Sequence, residues 1–305
     1  MRNKIFFAII LLAFLPVGFT ACYSDIGAGQ GSHIPVDMAV AQVPALHIVY
    51  DAGEYDADTE YGHIEYEPSV YEPEYKPYIP DAVDEDEDKN EYYEEHKEPV
   101  RRPMVALTFD DGPSKYTEYI LDVLEQHGVR ATFCVLGNRV ENWADTIRRM
   151  DYLGSEVIGH SWNHTNLTLS RLSDEEIKRQ ILETSAIIEE ILGFAPPPIF
   201  RAPYGALNPR VRRITRELGY SFLNWSLDTQ DWRHRDAQHL YDFIMERAKD
   251  GSIILMHDIR QPTADAMVYV IPSLIERGFE LVTATELIEY FEGELEPGTE
   301  YRGIR

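Results

Sequence analysis

Between Pro103 and Glu292, short apolar runs alternate with longer segments in which apolar residues recur three and four positions apart. The short runs predict buried strands, and the longer segments predict amphipathic helices. The predicted strands are 105–109, 131–136, 156–158, 199–200, 221–225, 252–256 and 280–282, and the predicted helices are 116–127, 141–153, 173–192, 209–218, 237–248 and 264–277. Strands that alternate with helices predict a parallel sheet with helical crossovers, and the number of units fits one α/β barrel.

The first 22 residues have a different pattern. Arg2 and Lys4 precede an uncharged apolar run from Ile5 to Val17. This layout predicts a secretory signal, because the run is shorter than the roughly 20 apolar residues of a membrane span. The box Phe19-Thr20-Ala21-Cys22 resembles the one that precedes the lipidated cysteine of bacterial lipoproteins. Cys22 is therefore a candidate lipidation site, and ordinary cleavage or an uncleaved anchor are the alternatives.

Residues 23–102 predict a disordered acidic linker rich in Tyr, Glu and Pro. Of the chain's net charge of −25, most lies in residues 50–99, which contain 19 acidic residues and 3 basic ones. Proline and like-charge repulsion disfavour a packed core. We expect the folded domain to span 103–292, with a tail over 293–305. The acidic balance argues against nucleic acid as a partner. With only two cysteines, Cys22 and Cys134, the chain has no disulfide framework.

Polar residues follow five of the predicted strands, and the carboxyl ends of parallel strands meet at one face of a barrel. Asp110 and Asp111 follow the first strand. One of two adjacent carboxylates can bind a metal while the other acts as a base, although Asp-Gly is also common in turns. His160 and His164 follow the third strand, and their spacing predicts both imidazoles on one side of a helical turn. With one Asp they would form a two-His, one-carboxylate metal site; two ordinary histidines are the alternative.

Three further clusters can complete such a site. Arg201 can pair with Asp110 and keep it ionised. Asp231 can polarise a histidine, and Trp232 can form an apolar wall. His257, at the end of a strand, is well placed as a general acid. Taken singly, these residues can equally be a surface arginine, a capped turn and a structural histidine, but five such clusters after five strands would rarely align by chance.

Together the clusters resemble the five ordered motifs of the polysaccharide deacetylase (NodB homology) family, the family-four carbohydrate esterases. The motifs read Thr108-Phe109-Asp110-Asp111-Gly112-Pro113, His160-Ser161-Trp162-Asn163-His164, Arg201-Ala202-Pro203-Tyr204-Gly205, Asp228-Thr229-Gln230-Asp231-Trp232 and Ile254-Leu255-Met256-His257-Asp258. The likeness is closest to peptidoglycan N-acetylglucosamine deacetylases. The resemblance implies a distorted (β/α) barrel.

The resemblance also implies a role for each of ten residues. The implied ligands of one divalent metal, usually Zn²⁺ with Co²⁺, Mn²⁺ or Ni²⁺ as alternatives, are Asp111, His160 and His164. The implied catalytic residues are Asp110 as general base and His257 as general acid, with Arg201 and Asp231 as their partners. The implied contacts of the acetyl group are the Tyr204 backbone N–H, as oxyanion donor, and the walls Trp232 and Leu255.

The expected function is metal-dependent hydrolysis of the N-acetyl group of N-acetylglucosamine in cell-wall peptidoglycan, with release of acetate. A chitooligosaccharide deacetylase and an acetylxylan esterase are alternatives, and a catalytically inactive glycan-binding wall module is an alternative of another class. We expect a monomer outside the cytoplasm. It would be held at the membrane by an N-terminal lipid or an uncleaved anchor, or alternatively be secreted.

Overall fold

Strand β1, Met104–Asp110, is buried along its whole length at the centre of a parallel sheet. A computed structural model describes residues 101–303 of the chain. The predicted signal over 1–22, the candidate lipidation site Cys22 and the predicted linker up to residue 100 lie outside the described residues.

Nine strands form the sheet, and all of their pairings are parallel. They are β1 Met104–Asp110, β2 Thr132–Val135, β3 Glu156–Gly159, β4 Ile199–Phe200, β5 Ser221–Leu223, β6 Leu227–Asp228, β7 Ser252–His257, β8 Glu280–Leu281 and β9 Glu300–Tyr301. Their order is β6-β7-β1-β2-β3-β4-β5-β9, and β8 pairs with the beginning of β1. Only residues 224–226 separate β5 from β6, so the sheet must curl to bring its two sides together.

The α-helices of the described residues are α1 Lys115–His127, α2 Gly137–Val140, α3 Ala144–Tyr152, α4 Asp174–Leu192, α5 Pro209–Glu217, α6 Asp231–His234, α7 Ala237–Arg247, α8 Gln261–Glu276 and α9 Ala284–Glu292. Six of them correspond to the predicted helices, and three, α2, α6 and α9, are not predicted. The Ser173 hydroxyl accepts from the Glu176 N–H, and the Glu176 carboxylate accepts from the Ser173 N–H, which is a capping box at the start of α4. The predicted parallel α/β barrel is confirmed.

Alternation along β1 separates the two sides of the sheet. Val105, Leu107 and Phe109 pack in the core beneath the helices, whereas Met104 and Ala106 belong to a second core that also contains Ile158 and Leu223 of other strands. Because side chains alternate along a strand, Thr108 and Asp110 continue the row of Met104 and Ala106. The last residue of β1 therefore points a carboxylate into the interior at the carboxyl end of the barrel.

The described residues extend the sheet beyond position 292. Residues 293–305 are a predicted tail, but Glu300–Tyr301 form β9, which pairs with β5. Tyr301 is buried in the same core as Leu223. The sequence does not predict β9, because Glu300 and Tyr301 form no apolar run, unlike the equally short strand β4, Ile199–Phe200. Within residues 101–303, none of the helices combines the length and the apolar character that a membrane crossing needs.

Candidate active site

Asp110 and Arg201 form a buried ion pair at the end of β1. Arg201 Nη1 donates to Asp110 Oδ1 at 2.7 Å and to Thr108 Oγ1 at 2.8 Å. Arg201 has no exposed surface, and Asp110 is 3% exposed. Burial by itself raises the pKa of Asp110, but the charge and hydrogen bond of Arg201, together with the charges of His160 and His257, outweigh it and hold the pKa of that carboxyl below its usual value. Asp110 is therefore a buried carboxylate that stays ionised.

Asp111, His160 and His164 converge beside this pair. Their ligand atoms all lie within 4.8 Å of one another. Nε2 of His160 and Nε2 of His164 lie 3.5 Å and 3.4 Å from Asp111 Oδ1. In a tetrahedral site with bonds of about 2.0–2.1 Å, neighbouring ligand atoms are about 3.3–3.4 Å apart. The separations to the carboxylate thus match those of a shared divalent cation.

Two further observations support a metal at this cluster. Asp111 Oδ1 is buried and has no hydrogen-bond partner among the described residues, which is costly unless a cation lies there. His160 Nδ1 lies 2.8 Å from the Arg201 carbonyl oxygen, so Nδ1 donates and leaves Nε2 free to bind a metal. The donor set of one carboxylate and two imidazoles fits a divalent transition metal.

The backbone that presents the second histidine differs from the expectation. The prediction that His160 and His164 lie on one helical turn is wrong, because residues 160–164 form an irregular loop. Ser161 and His164 both have positive φ angles, 66° and 60°. The loop is held because the Ser161 hydroxyl accepts from the His164 N–H and Gln180 accepts from the Trp162 N–H. The spacing brings the imidazoles together, but through a loop with left-handed residues.

His257 lies opposite Asp110, since these two residues are paired across β1 and β7. Its Nδ1 and its main-chain N–H donate to the two oxygens of Asp231, and Thr263 Oγ1 donates to Asp231 Oδ2 at 2.7 Å. Burial lowers the pKa of His257, but the hydrogen bond and charge of Asp231 outweigh it and raise the pKa to about 9. An imidazole held in this way keeps its Nε2 proton at neutral pH.

The three remaining predicted residues lie around the same mouth. Tyr204 has a φ of 64°, and its ring lies 4.6 Å from that of His164. Leu255 lies two positions before His257 on β7, so the two share a face of the strand, and it is 4% exposed. Trp232 follows Asp231 in α6 and is 47% exposed. Tyr204 and Trp232 thus offer exposed aromatic rings to a ligand.

One buried carboxyl near the mouth has no predicted role. Asp258 is completely buried; its Oδ2 accepts from Thr117 Oγ1 at 2.6 Å, and its carbonyl oxygen accepts from Ser114 Oγ. A Cβ built on Gly112 would lie only 2.1 Å from Asp258 Oδ2. Burial raises the pKa of Asp258 to about 7. Its only signal in the sequence is its place directly after His257.

Comparison with known proteins shows the family of the chain. The polysaccharide deacetylase family model matches residues 97–223. The chain is 34% identical to a family 4 acetyl xylan esterase from Clostridium thermocellum, solved with a cobalt ion; the match covers 66% of this chain and 98% of that one, with a TM-score of 0.61. The chain belongs to the polysaccharide deacetylase family.

Two curated members of the polysaccharide deacetylase family are also similar. The peptidoglycan-N-acetylmuramic acid deacetylase PdaC of Bacillus subtilis is 42% identical over 187 residues, which are 61% of this chain and 39% of PdaC. The peptidoglycan-N-acetylglucosamine deacetylase PgdA of Listeria monocytogenes is 38% identical over 198 residues, which are 65% of this chain and 41% of PgdA. The matched region thus spans about two fifths of the length of these two relatives.

Proposed function

We propose that the chain is a metal-dependent deacetylase that removes the N-acetyl group of amino sugars in peptidoglycan and releases acetate. The observation that carries this proposal is the placing of Asp110 between two partners: the cluster of Asp111, His160 and His164 on one side, and His257 across the neighbouring strand. A base, an acid and a metal-binding cluster at one mouth are what metal-assisted amide hydrolysis needs.

The cluster of Asp111, His160 and His164 would hold one divalent ion, with Zn²⁺ as first choice. When bound, such an ion supplies Lewis-acid polarisation of the acetyl carbonyl and makes water easier to deprotonate. Asp110 takes the proton of the attacking water, because Arg201 keeps its carboxylate ionised. Arg201 binds only Oδ1 of that carboxylate, and Oδ2 lies toward His160.

The amine leaves as His257 donates a proton to it. The Asp231 carboxylate accepts from Nδ1 of His257, so the proton available for transfer is the one on Nε2. Positioned acids of this kind typically contribute about 10²–10⁴-fold to the rate.

The Tyr204 N–H, oriented by its left-handed backbone, would donate a hydrogen bond to the developing oxyanion. One such donor typically lowers the barrier by about 3–4 kcal/mol. Trp232 and Leu255 would wall the acetyl pocket.

The substrate class is supported by the relatives. PdaC and PgdA are named for the deacetylation of peptidoglycan, at N-acetylmuramic acid and at N-acetylglucosamine. N-acetylglucosamine is the site that we propose here. The solved acetyl xylan esterase makes ester hydrolysis a second candidate, because the same donors can serve an ester carbonyl.

Peptidoglycan as substrate implies action outside the cytoplasm. A secretory signal over residues 1–22 and a lipid on Cys22 would bring the chain there and hold it at the membrane, with residues 23–102 as the spacer to the deacetylase domain. This anchor is tested by globomycin treatment of cells that produce the chain and by a Cys22→Ser variant. With Cys22 present, we expect the treatment to shift the mass of the protein, and we expect the protein to partition into detergent. Neither effect is expected in Cys22→Ser.

Acetate release from peptidoglycan, chitin oligomers and acetylated xylan tests the activity. We expect release from peptidoglycan, its loss in a chelator and its recovery with Zn²⁺. Asp110→Asn should abolish release while glycan binding survives, and the matched control Asp122→Asn, on the exposed face of α1 in an ion pair with Arg149, should be fully active. Glycan binding without acetate release from any polymer by the metal-loaded protein would favour the binding module instead.

A further inference from the structure

A segment made of residues 223–226, which are the last residue of β5 and the connection to β6, contacts two parts of the candidate site. Arg201 Nε donates to the Leu223 carbonyl, and Arg201 Nη2 donates to the Asn224 carbonyl, both at 3.2 Å. The Trp225 ring lies 5.7 Å from the same guanidinium. Two of the hydrogen bonds that orient Arg201 therefore depend on where main-chain oxygens of this segment lie.

The other side of the segment lies against the turn that carries Tyr204. Gly205, whose φ is 59°, has no room for a side chain, since a Cβ there would lie 2.7 Å from the Trp225 ring and 3.1 Å from Asn224 Oδ1. The arginine that holds Asp110 and the turn that presents the Tyr204 N–H thus rest on the same two residues.

Strand β9 fixes this segment from outside. The Asn224 N–H donates to the Tyr301 carbonyl at 2.7 Å, and the Phe222 N–H donates to the Thr299 carbonyl at 2.8 Å. Asn224 Nδ2 donates to Glu300 Oε1 at 2.5 Å, and Asn224 is only 3% exposed. Glu300 is therefore the side chain of β9 that hydrogen-bonds to the segment beside Arg201.

The remaining partners keep the Glu300 carboxylate in place. Arg302 Nη2 lies 2.5 Å from its Oε1, and Arg212 of α5 donates to its Oε2. The Glu300 side chain is 12% exposed. Burial raises the pKa of this carboxyl, but the hydrogen bonds from Arg212 and Asn224 outweigh it, so the pKa lies below its usual value. The group is a fixed, ionised acceptor that no step of the proposed reaction uses.

We propose that Glu300 is a positioning residue of the deacetylase site. It holds Asn224, whose carbonyl and that of Leu223 orient Arg201, and Arg201 in turn orients the base Asp110. The inference rests on the proposed function, and it brings into the catalytic machinery a strand that lies outside the matched family region, which ends at residue 223. Small displacements of catalytic groups are costly, since about 1 Å can lower a rate by about 10²-fold.

The test compares Glu300→Ala and Glu300→Gln with a matched control, Glu217→Ala, which removes an exposed carboxylate paired with Arg213. We expect Glu300→Ala to lower kcat by roughly 10- to 100-fold with KM nearly unchanged. Glu300→Gln should recover most of the loss, because its amide oxygen still accepts from Asn224. The control should keep the wild-type kcat.

Two further measurements separate positioning from stability. Asn224→Ala should match Glu300→Ala in kcat, and the double variant should be no slower than either, because both remove one link. Amide hydrogen exchange in residues 200–206 should speed up in Glu300→Ala, and not in the control. This exchange can be measured without any turnover.

The outcomes are distinguishable. If the wild-type protein releases no acetate, the proposed function fails. Amide hydrogen exchange in residues 200–206 then decides alone whether Glu300 positions Arg201 through Asn224. If the wild type is active and Glu300→Ala melts earlier but keeps the wild-type kcat well below its Tm, the inference is overturned. Additive losses in the double variant would also overturn it, since the two residues would then act separately.

Discussion

His257 and Asp231 are joined twice: the Nδ1 atom and the main-chain N–H of the histidine donate to the two oxygens of one carboxylate, at 2.7 Å and 2.8 Å. This double link fixes both the ring's tautomer and its position at the end of β7. Since Asp231 is 5% exposed, its charge acts on the imidazole with little screening by water.

Replacement of Asp231 by Asn should move the alkaline limb of the activity profile. A general acid works only while protonated, so activity should fall as pH rises through the pKa of His257, which Asp231 raises to about 9. Without that anion, burial dominates and lowers the pKa, so the limb should shift to lower pH. The measurement is kcat against pH, with the exposed helix cap Asp236→Asn as control. An unchanged alkaline limb would show that His257 is not the acid.

Loss of Arg201 should destabilise the protein more than loss of the whole ion pair. In Arg201→Met, Asp110 remains buried without its partner, which typically costs about 3–5 kcal/mol. Addition of Asp110→Asn removes the uncompensated charge and should recover part of that loss. Urea unfolding of the two variants, against Arg213→Met on the exposed face of α5, gives the comparison. A double variant less stable than the single one would contradict the role of the pair.

Zinc should stabilise the fold through Asp111, His160 and His164. A ligand that binds only the folded state at 100 times its Kd adds about 2.7 kcal/mol to the free energy of unfolding. We expect Zn²⁺ to raise the Tm of the metal-free protein and Asp111→Asn to remove the rise. His127→Ala, at the end of α1, should leave it intact. An equal rise in wild type and Asp111→Asn would place the metal elsewhere.

The buried carboxyl of Asp258 should make stability fall as pH rises. Burial raises its pKa from the ordinary value of 3.8 to about 7, so between these values the folded state holds a proton that the unfolded state releases. The free energy of unfolding should therefore decrease over that window by up to about 1.4 kcal/mol per pH unit, and level off above it.

Asp258→Asn tests this slope, because the amide has the shape of the protonated carboxyl and cannot ionise. The difference in unfolding free energy between variant and wild type, measured in urea from about pH 5 to about pH 8, should grow with pH in favour of the variant. Asp242→Asn, on the exposed face of α7, is the control. A constant difference would mean that Asp258 is ionised throughout.

The sequence predicts the barrel well where its signals are long. The apolar run of β1 and the capping box before α4 each determine their element locally, so position and type agree with the structure. Strands β6 and β9, Leu-Asp and Glu-Tyr, each include a charged residue, so they lack the apolar run that predicts the equally short β4. Their pairing comes from the curl of the whole sheet, which no local pattern records.

The sequence predicts which residues form the candidate site better than it predicts the backbone conformation that holds them. Asp110, Arg201 and His257 come together because the strands that carry them end at one face, a topological consequence visible in the sequence. The left-handed conformations of Ser161 and His164 are not visible, because positive φ angles are uncommon for any residue other than glycine and no local pattern predicts them here. Asp258 stands in the fifth motif, but its burial against Thr117 and Gly112 comes from the fold and from no local pattern.

The close approach of Asp258 to Gly112 has an evolutionary consequence. Any residue larger than glycine at 112 would have to displace a carboxyl that Thr117 holds from α1. Tolerance at one position thus depends on what occupies the other. Across distant homologues, a larger residue at position 112 should occur together with a smaller residue at position 258, so that substitutions at the two positions are correlated.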